Sequence, residues 1–323
     1  MSGVARAPAS DRTKARSGLQ YGRGVTGKSR FRIRQLHIAQ HLAPLIAAKA
    51  LGAVKLDLVL RGVALPPGYE GRREIGFVLP TYAYEDLHDL VRAPDRYGPA
   101  GEEVDYSGAS RRAKRKWVGE QVGHLEDMNL IRRTGRGGRP ELVVLCDDGS
   151  GDPFDDPDGK RGGLYITVHG TLISTGVLRT WGAPELTFYL AAMVGEGFDS
   201  NARHGDERVR LGGGTWYRPL DWFADRERRR PDDHVRMPFS VPTLERGLAR
   251  LRKDGFVTSR RIYRDPRTGR RFSRPRNLYE NRFWTLEYQD KIPNIRQVLA
   301  ELRGVENPSA ILEPILQGAS PAP

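Results

Sequence analysis

Cysteine is nearly absent: Cys146 stands alone in 323 residues. No disulfide can form within the chain and no cysteine-built zinc site is possible, which suits a reducing compartment. Long apolar runs are missing too, and none reaches the roughly 18 residues of a membrane span. The first 34 residues hold no apolar segment of a secretory signal. The expectation is a cytoplasmic protein with no membrane partner. Lysine is scarce, at 9 of 53 basic residues, the other 44 being arginine.

Several chemical signatures are also missing. There is no His-x-His of rolling-circle initiators, no His-x-x-Arg of tyrosine recombinases and no Gly-x-Ser-x-Gly elbow. His37 and His41 are four apart, but Ile38 stands where a zinc protease carries glutamate, so no metal is expected. Cys146 sits in an apolar run and reads as an inert strand residue. No cofactor and no small-molecule substrate are indicated, and the chain reads as a binding protein rather than an enzyme. One pattern points elsewhere. Gly22-Arg-Gly-Val-Thr-Gly-Lys28-Ser29 satisfies the P-loop spacing. Such a loop needs a buried strand before it and a helix after it, and 15–21 is no buried strand. A P-loop ATPase acting on DNA is therefore only a third reading.

What the chain has in excess is positive charge, +13 with a pI near 10. A field of that sign attracts polyanions. A GC-rich genome also enriches arginine, so clustering decides more than the total. Residues 109–139 hold nine basic and three acidic side chains, and 250–276 hold eleven and two. Charge is thus concentrated in two windows.

The length suits about two domains of roughly 150 residues. Residues 1–30 read as a disordered basic arm. A first domain follows at 31–146, with a helix near 33–51, strand alternation at 55–60 and a short helix at 82–91. Six aspartates mark 147–163 as an acidic linker. A second domain spans 164–288, with a strand at 164–168, a helix at 183–194 and an aromatic core group of Trp216, Tyr217, Leu220, Trp222 and Phe223. A tail at 289–323 reads as short helices whose apolar faces would pack on the body or pair two copies in a homodimer.

The two basic windows contain the same pattern. Val118, Val122, Leu125, Asn129, Leu130 and Ile131 recur as Leu244, Leu248, Leu251, Gly255, Phe256 and Val257, each 126 positions on. The first three make an apolar helical stripe. The fourth tolerates the left-handed conformation and ends the helix. The last two begin a strand. An arginine-rich turn and a return strand follow, at 134–145 in the first copy; in the second the turn is 265–269, the return begins at 270–272, and 282–286 reads as its end.

Helix, left-handed stop, strand, basic turn, strand: this order resembles the winged helix-turn-helix family of DNA-binding proteins, most closely over 240–257, where Ser240 reads as an N-cap. The first copy lacks a Ser or Thr start beside its stripe. The resemblance implies an α+β protein with two winged-helix domains and double-stranded DNA as partner. It implies outward residues Thr243, Arg246, Arg250 and Lys253 on the second recognition helix, and Lys114, Arg115, Gln121 and His124 on the first. The wings would bring Arg132, Arg133, Arg136 and Arg139 in one copy, and Arg260, Arg261, Arg264, Arg267, Arg270 and Arg271 in the other, against phosphates. Tandem modules are the layout of plasmid and mobile-element replication initiators. A transcriptional regulator is the alternative, and the lack of a recognisable ligand-sensing domain in the sequence tilts toward the initiator.

Overall fold

The computed structural model describes residues 19–22, 25–64, 76–78, 84–92, 110–134, 141–154, 164–201, 214–217, 219–224, 239–266 and 268–283. They form a mixed α and β chain with small antiparallel sheets, divided into two compact units that meet between Gly182 and Ala183.

In chain order, the first unit begins with strands β1 (Leu19–Gly22), β2 (Val25–Gly27) and β3 (Arg30–Arg34). A continuous helical run follows: α1 (Gln35–His37), a π-helical turn over Ile38–Leu42, and α2 (Ala43–Ala47). Next come α3 (Leu51–Val63), β4 (Phe77–Val78), α4 (Tyr84–Val91), α5 (Arg111–Asp127), β5 (Ile131–Thr134) and β6 (Glu141–Val144). β7 (Tyr165–His169), α6 (Thr171–Ser174) and α7 (Val177–Thr180) close the unit. The second unit is α8 (Ala183–Asn201), β8 (Thr215–Trp216), α9 (Leu220–Ala224), α10 (Val241–Lys253), β9 (Val257–Arg264) and β10 (Arg271–Asn281).

The two units share one plan. Helix, strand, helix, helix, strand, strand runs α3 to β6 in the first and α8 to β10 in the second. In each, the last strand is the middle of a three-stranded antiparallel sheet, in order β4-β6-β5 and β8-β10-β9. Hydrogen bonds repeat with it. Asn129 (φ 54°) and Gly255 (φ 80°) are both left-handed. Behind them Leu130 N donates to Leu125 O and Phe256 N to Leu251 O, each at 2.9 Å, so the chain leaves both helices by the same closing turn. Leu145 N then returns to Leu130 O at 2.9 Å, and Arg282 N to Phe256 O at 2.8 Å. Two further glycines match, Gly76 (φ 79°) and Gly214 (φ 85°). Their carbonyls accept from Val144 N and Asn281 N, and a side chain at either would run into the carbonyl it faces.

The helix cores follow from the stripes. Val118, Val122 and Leu125 of α5 are fully buried, as are Leu244 and Leu251 of α10, while Leu248 is half-buried at the margin. In the second unit Trp216 stacks on Tyr279 with ring centroids 4.3 Å apart and meets the edge of Phe223. Its indole N–H donates to Asn281 Oδ1 at 3.0 Å, so the buried ring keeps a polar partner.

Four sequence expectations need correction. Residues 55–60 lie inside the α3 helix rather than in a strand. The apparent alternation fails because Lys55 and Asp57, its polar members, are buried and paired. The expected helix at 33–51 starts at Gln35, since Phe31 and Ile33 belong to β3. Leu19–Gly22 and Val25–Gly27, read as part of a disordered arm, pair as antiparallel strands. The acidic stretch does not divide the units. Asp147 is buried, accepting from Arg34 N at 2.7 Å and pairing with the Arg34 guanidinium, and Phe154 is buried too. β7 pairs with β3, so it belongs to the first unit. Residues 1–18, 155–163 and 289–323 lie outside the described residues.

One buried polar cluster ties β3 and α1 to the repeated plan. Asp57 accepts from Arg61 Nε at 3.1 Å and pairs with His37 Nε2 at 2.8 Å, while Arg61 Nη1 donates to Leu145 O at 3.2 Å. Burial alone would raise the Asp57 carboxyl. Arg61 and His37 overcome that and hold it well below the usual carboxylate range. Its folded pKa is therefore below the unfolded one. The stability it adds is complete above an ordinary value of 3.8 and is lost as pH falls further toward the folded value. Asp57→Ala strands Arg61 in the interior and is expected to cost about 3–5 kcal/mol in urea unfolding at neutral pH. The double change Asp57→Ala with Arg61→Met should cost less than the single one.

Candidate nucleic-acid interface

The outward faces of α5 and α10 occupy matching positions, so their side chains can be compared one for one. Glu120, His124, Glu126 and Asp127 on α5 stand where α10 has Arg246, Arg250, Arg252 and Lys253. Glu120, His124 and Asp127 are exposed, as are all four cations of α10. One architecture thus presents an acidic face in the first unit and a basic face in the second.

On α10 the exposed side begins at Ser240. This residue takes the N-cap position but makes no side-chain bond to the helix backbone. Instead its Oγ lies 2.7 Å from Thr243 Oγ1, which in turn accepts from Arg246 Nη2 at 3.3 Å. Ser240, Thr243 and Arg246 therefore form a polar ladder along the helix start, and Arg246 stays exposed at its end. Arg250 is committed differently. Its Nη1 binds Glu185 of α8 at 2.8 Å, although its side chain remains 59% exposed. Arg252, which sequence reasoning passed over because it adjoins the apolar stripe, is exposed beside Lys253.

The hairpin adds more cations. Arg260, Arg261 and Arg264 on β9 and Arg271, Arg274 and Arg276 on β10 are exposed, as is Arg270 in the turn. Arg274 and Arg276 were not singled out, although both lie within the return strand and the basic window that the sequence indicated. Among the described residues no carboxylate pairs with any of these seven, nor with Arg246, Arg252 or Lys253. Such a set of exposed cations makes a positive field that attracts polyanions. The hairpin is braced. Tyr217 donates its hydroxyl to Asp265 Oδ2 at 3.2 Å, its ring lies 5.8 Å from that of Phe272, and Arg276 covers Phe272 at 4.4 Å. Arg267 is outside the described residues.

The first unit pairs Lys114, Arg115 and Arg133 with its own carboxylates. Lys114 Nζ meets Asp89 Oδ1 at 2.7 Å, and Arg115 Nε meets Glu85 Oε1 at 2.9 Å, both on α4. Arg133 pairs with Glu126, whose Oε1 also accepts from Arg133 N at 3.0 Å. Partial burial works against ionisation of Asp89, yet Lys114 and His88 hold its carboxyl below the usual range. Glu126 raises the Arg133 guanidinium in turn. His124 and Arg132 are exposed, and Arg136 and Arg139 lie outside the described residues. The exposed Arg111 and Arg112 sit in the extra first turn by which α5 exceeds α10, and the exposed Lys116 follows it. Ser110 caps that turn, accepting from Ala113 N at 3.2 Å, a start the sequence reading missed because it looked beside the stripe.

Gln121, expected to face outward, is buried. The reason is a swap at the helix crossing. In the second unit Gly247 of α10 lies against Pro184 of α8, and a Cβ there would strike the Pro184 carbonyl. In the first unit the glycine is on the other helix: a Cβ at Gly52 of α3 would come 2.7 Å from Gln121 Oε1 and 2.6 Å from Trp117. Gln121 is the residue that fills the gap left by Gly52.

The P-loop pattern meets no P-loop geometry. Lys28 is followed by strand β3, not by a helix, and its Nζ lies 3.4 Å from Arg61 O and over the Phe154 ring. No helix among the described residues is long and apolar enough to cross a membrane. Comparison with protein-family models, with curated proteins and with solved structures finds no match for this chain.

The crossing predicts opposite outcomes for two glycine changes. Gly247→Ala drives α10 off α8 and should lower the thermal midpoint of the second unit. Gly119 and Gly123 of α5 have nothing within 4 Å of an added Cβ. Alanine at each should instead stabilise the helix, by up to about 1 kcal/mol in denaturant unfolding.

Proposed function

We propose that the chain binds double-stranded DNA through two winged helix-turn-helix modules, with α10 as the recognition helix and β9–β10 as its wing. The observation that carries this reading is the unpaired cationic face of the second unit, set on a plan whose first copy has acidic residues at the same helix positions. A helix of α10's dimensions enters a major groove, where each base pair presents a distinct donor and acceptor pattern. Arg246, oriented by Thr243, is the side chain best placed for base edges. Lys253, seven residues on, lies on the same face as Arg246 at the helix end, and the hairpin arginines suit phosphates. Arg250 acts by bracing α10 on α8 through Glu185 more than by reading a base. In the first unit, ion pairs to α4 and within the β5 turn hold Lys114, Arg115 and Arg133, so that module contributes less to DNA affinity.

The biological role we infer is replication initiation on a plasmid or other mobile element, because two such modules in one chain is that family's layout. A transcriptional regulator is the alternative. Maintenance of an origin-bearing plasmid in cells supplied with the chain, and its loss with Arg246→Ala, would support initiation. Repression of a linked promoter without plasmid maintenance would support regulation.

Affinity measurements test the interface itself. Arg246→Ala should cost roughly 1–3 kcal/mol at the preferred site and flatten discrimination among sequences. Arg264→Ala should weaken all duplexes alike and reduce the salt slope by about one. Equal indifference to both changes would show that α10 and the hairpin are not the contact surface.

A further inference from the structure

The second unit carries an exposed aromatic ring that its own core does not use. Tyr263 of β9 is 60% exposed, the most exposed large apolar side chain among the described residues. Among those residues it has no ring contact, hydrogen bond or ion pair. The other aromatic residues of the hairpin region are engaged: Tyr279 stacks on Trp216, and Phe272 is held between Tyr217 and Arg276.

The position of this ring is specific. β9 is an edge strand, so one flank of it faces away from the sheet. By the two-residue period of a strand, Tyr263 shares a face with Arg261, and Arg264 follows it. Opposite Tyr263 the ladder is broken. Arg271 pairs with Arg264 and Arg276 with Ile262, so β10 carries three more residues than β9 over this interval. Ser273, Arg274 and Pro275 fill that bulge and are all exposed. The ring thus stands on a strand between the exposed Arg261 and Arg264, across from a bulge that holds Arg274, on a hairpin whose far end is fixed to the body through Asp265 and Phe272. Strand propensity explains a tyrosine in β9 but not why it stands uncovered among cations. A flat apolar face beside several phosphate-binding groups matches the two chemistries of a nucleic acid whose base has left the stack.

Resting on the DNA-binding reading above, we propose that Tyr263 stacks on an unstacked base of the bound duplex, so that the second unit prefers, and stabilises, DNA with a displaced base. The arginines around it hold the flanking phosphates while the ring takes the base face. Because the hairpin is braced, the ring is presented in place rather than ordered on binding, which spares the entropy of fixing it.

The test uses the full chain at low ionic strength and labelled duplexes of about three helical turns, fully paired or with one central mismatch. Binding to the mismatched duplex should be tighter by about tenfold, the scale of one base–aromatic stack. Tyr263→Ala should abolish that preference while changing affinity for the paired duplex by less than about twofold, and Tyr263→Phe should keep it. Arg264→Ala should weaken both duplexes equally. 2-Aminopurine at the mismatch should be quenched on binding by the native chain and not by Tyr263→Ala. Equal affinity of the native chain for both duplexes, or a preference that survives Tyr263→Ala, overturns the role of Tyr263 and leaves the DNA-binding reading standing. No binding to either duplex overturns that reading, and this inference with it.

Discussion

A left-handed residue at the end of a helix is the constraint on which both units depend. Asn129 and Gly255 each turn the chain so that the next amide closes on a carbonyl five residues back, and the backbone passes at once into a strand. With that turn fixed, the angle between helix and strand is fixed too. The return strand is then caught by a second bond, Leu145 to Leu130 in one unit and Arg282 to Phe256 in the other. Helix α10 is therefore joined to β9 and β10, and α5 to β5 and β6, by the same pair of backbone bonds. On the proposed reading this is what lets a groove contact and a wing contact be made together. A loop at the same place would have to be ordered on binding, at a free-energy cost the built turn avoids.

Given a common backbone, charge is free to diverge, and here it does. Four matching positions on the outward helix face are basic in the second unit, while the first has three acids and a histidine. In the first unit Lys114, Arg115 and Arg133 are held by Asp89, Glu85 and Glu126, while Arg111, Arg112 and Lys116 stay exposed at the start of α5. Surface ion pairs contribute little to stability, so their larger consequence is electrostatic: they cancel local potential that would otherwise draw a polyanion. The second unit leaves its hairpin arginines without such partners among the described residues. Total charge, which a genome's composition can inflate, says less about a partner than this difference between two copies of one plan.

The repeat was legible in the sequence because it rests on residue types with narrow physical meaning. An apolar stripe, then Asn or Gly, then two apolar residues is a helix, its stop and a strand, and the closing turns lie where the pattern put them. What escaped was whatever depends on residues distant in the chain. Lys55 and Asp57 looked like the polar half of a strand because charged residues are normally outside. They are inside because Asp57 pairs with Arg61 and His37, Arg61 also reaches Leu145 O, and Lys55 Nζ donates to Arg179 O at 3.0 Å. The aspartates from 147 onward looked like a linker because Asp147 gives no hint of Arg34, 113 positions earlier. Gln121 looked outward because the glycine that makes room for it is Gly52, on another helix. Gly76 and Gly214 did carry a signal, being left-handed at the start of each sheet's short strand, but nothing local distinguishes them among 37 glycines.

The crossing of the paired helices shows how two copies keep one geometry with different sequences. Close approach requires that one partner lack a side chain at the contact. In the second unit the glycine is on α10, against a proline carbonyl on α8; in the first it is on α3, against Gln121 and Trp117 of α5. Each arrangement fills the same gap from opposite sides, as close packing demands. The swap also bears on chemistry. With Gly247 inward, α10 needs no bulky polar residue at the crossing, and its polar side chains lie on the exposed side. With Gly52 taking that role, α5 must turn Gln121 and Trp117 toward its neighbour, and two positions that could have faced solvent are spent on packing. The choice of which helix carries the glycine thus helps decide which unit retains a free outward face.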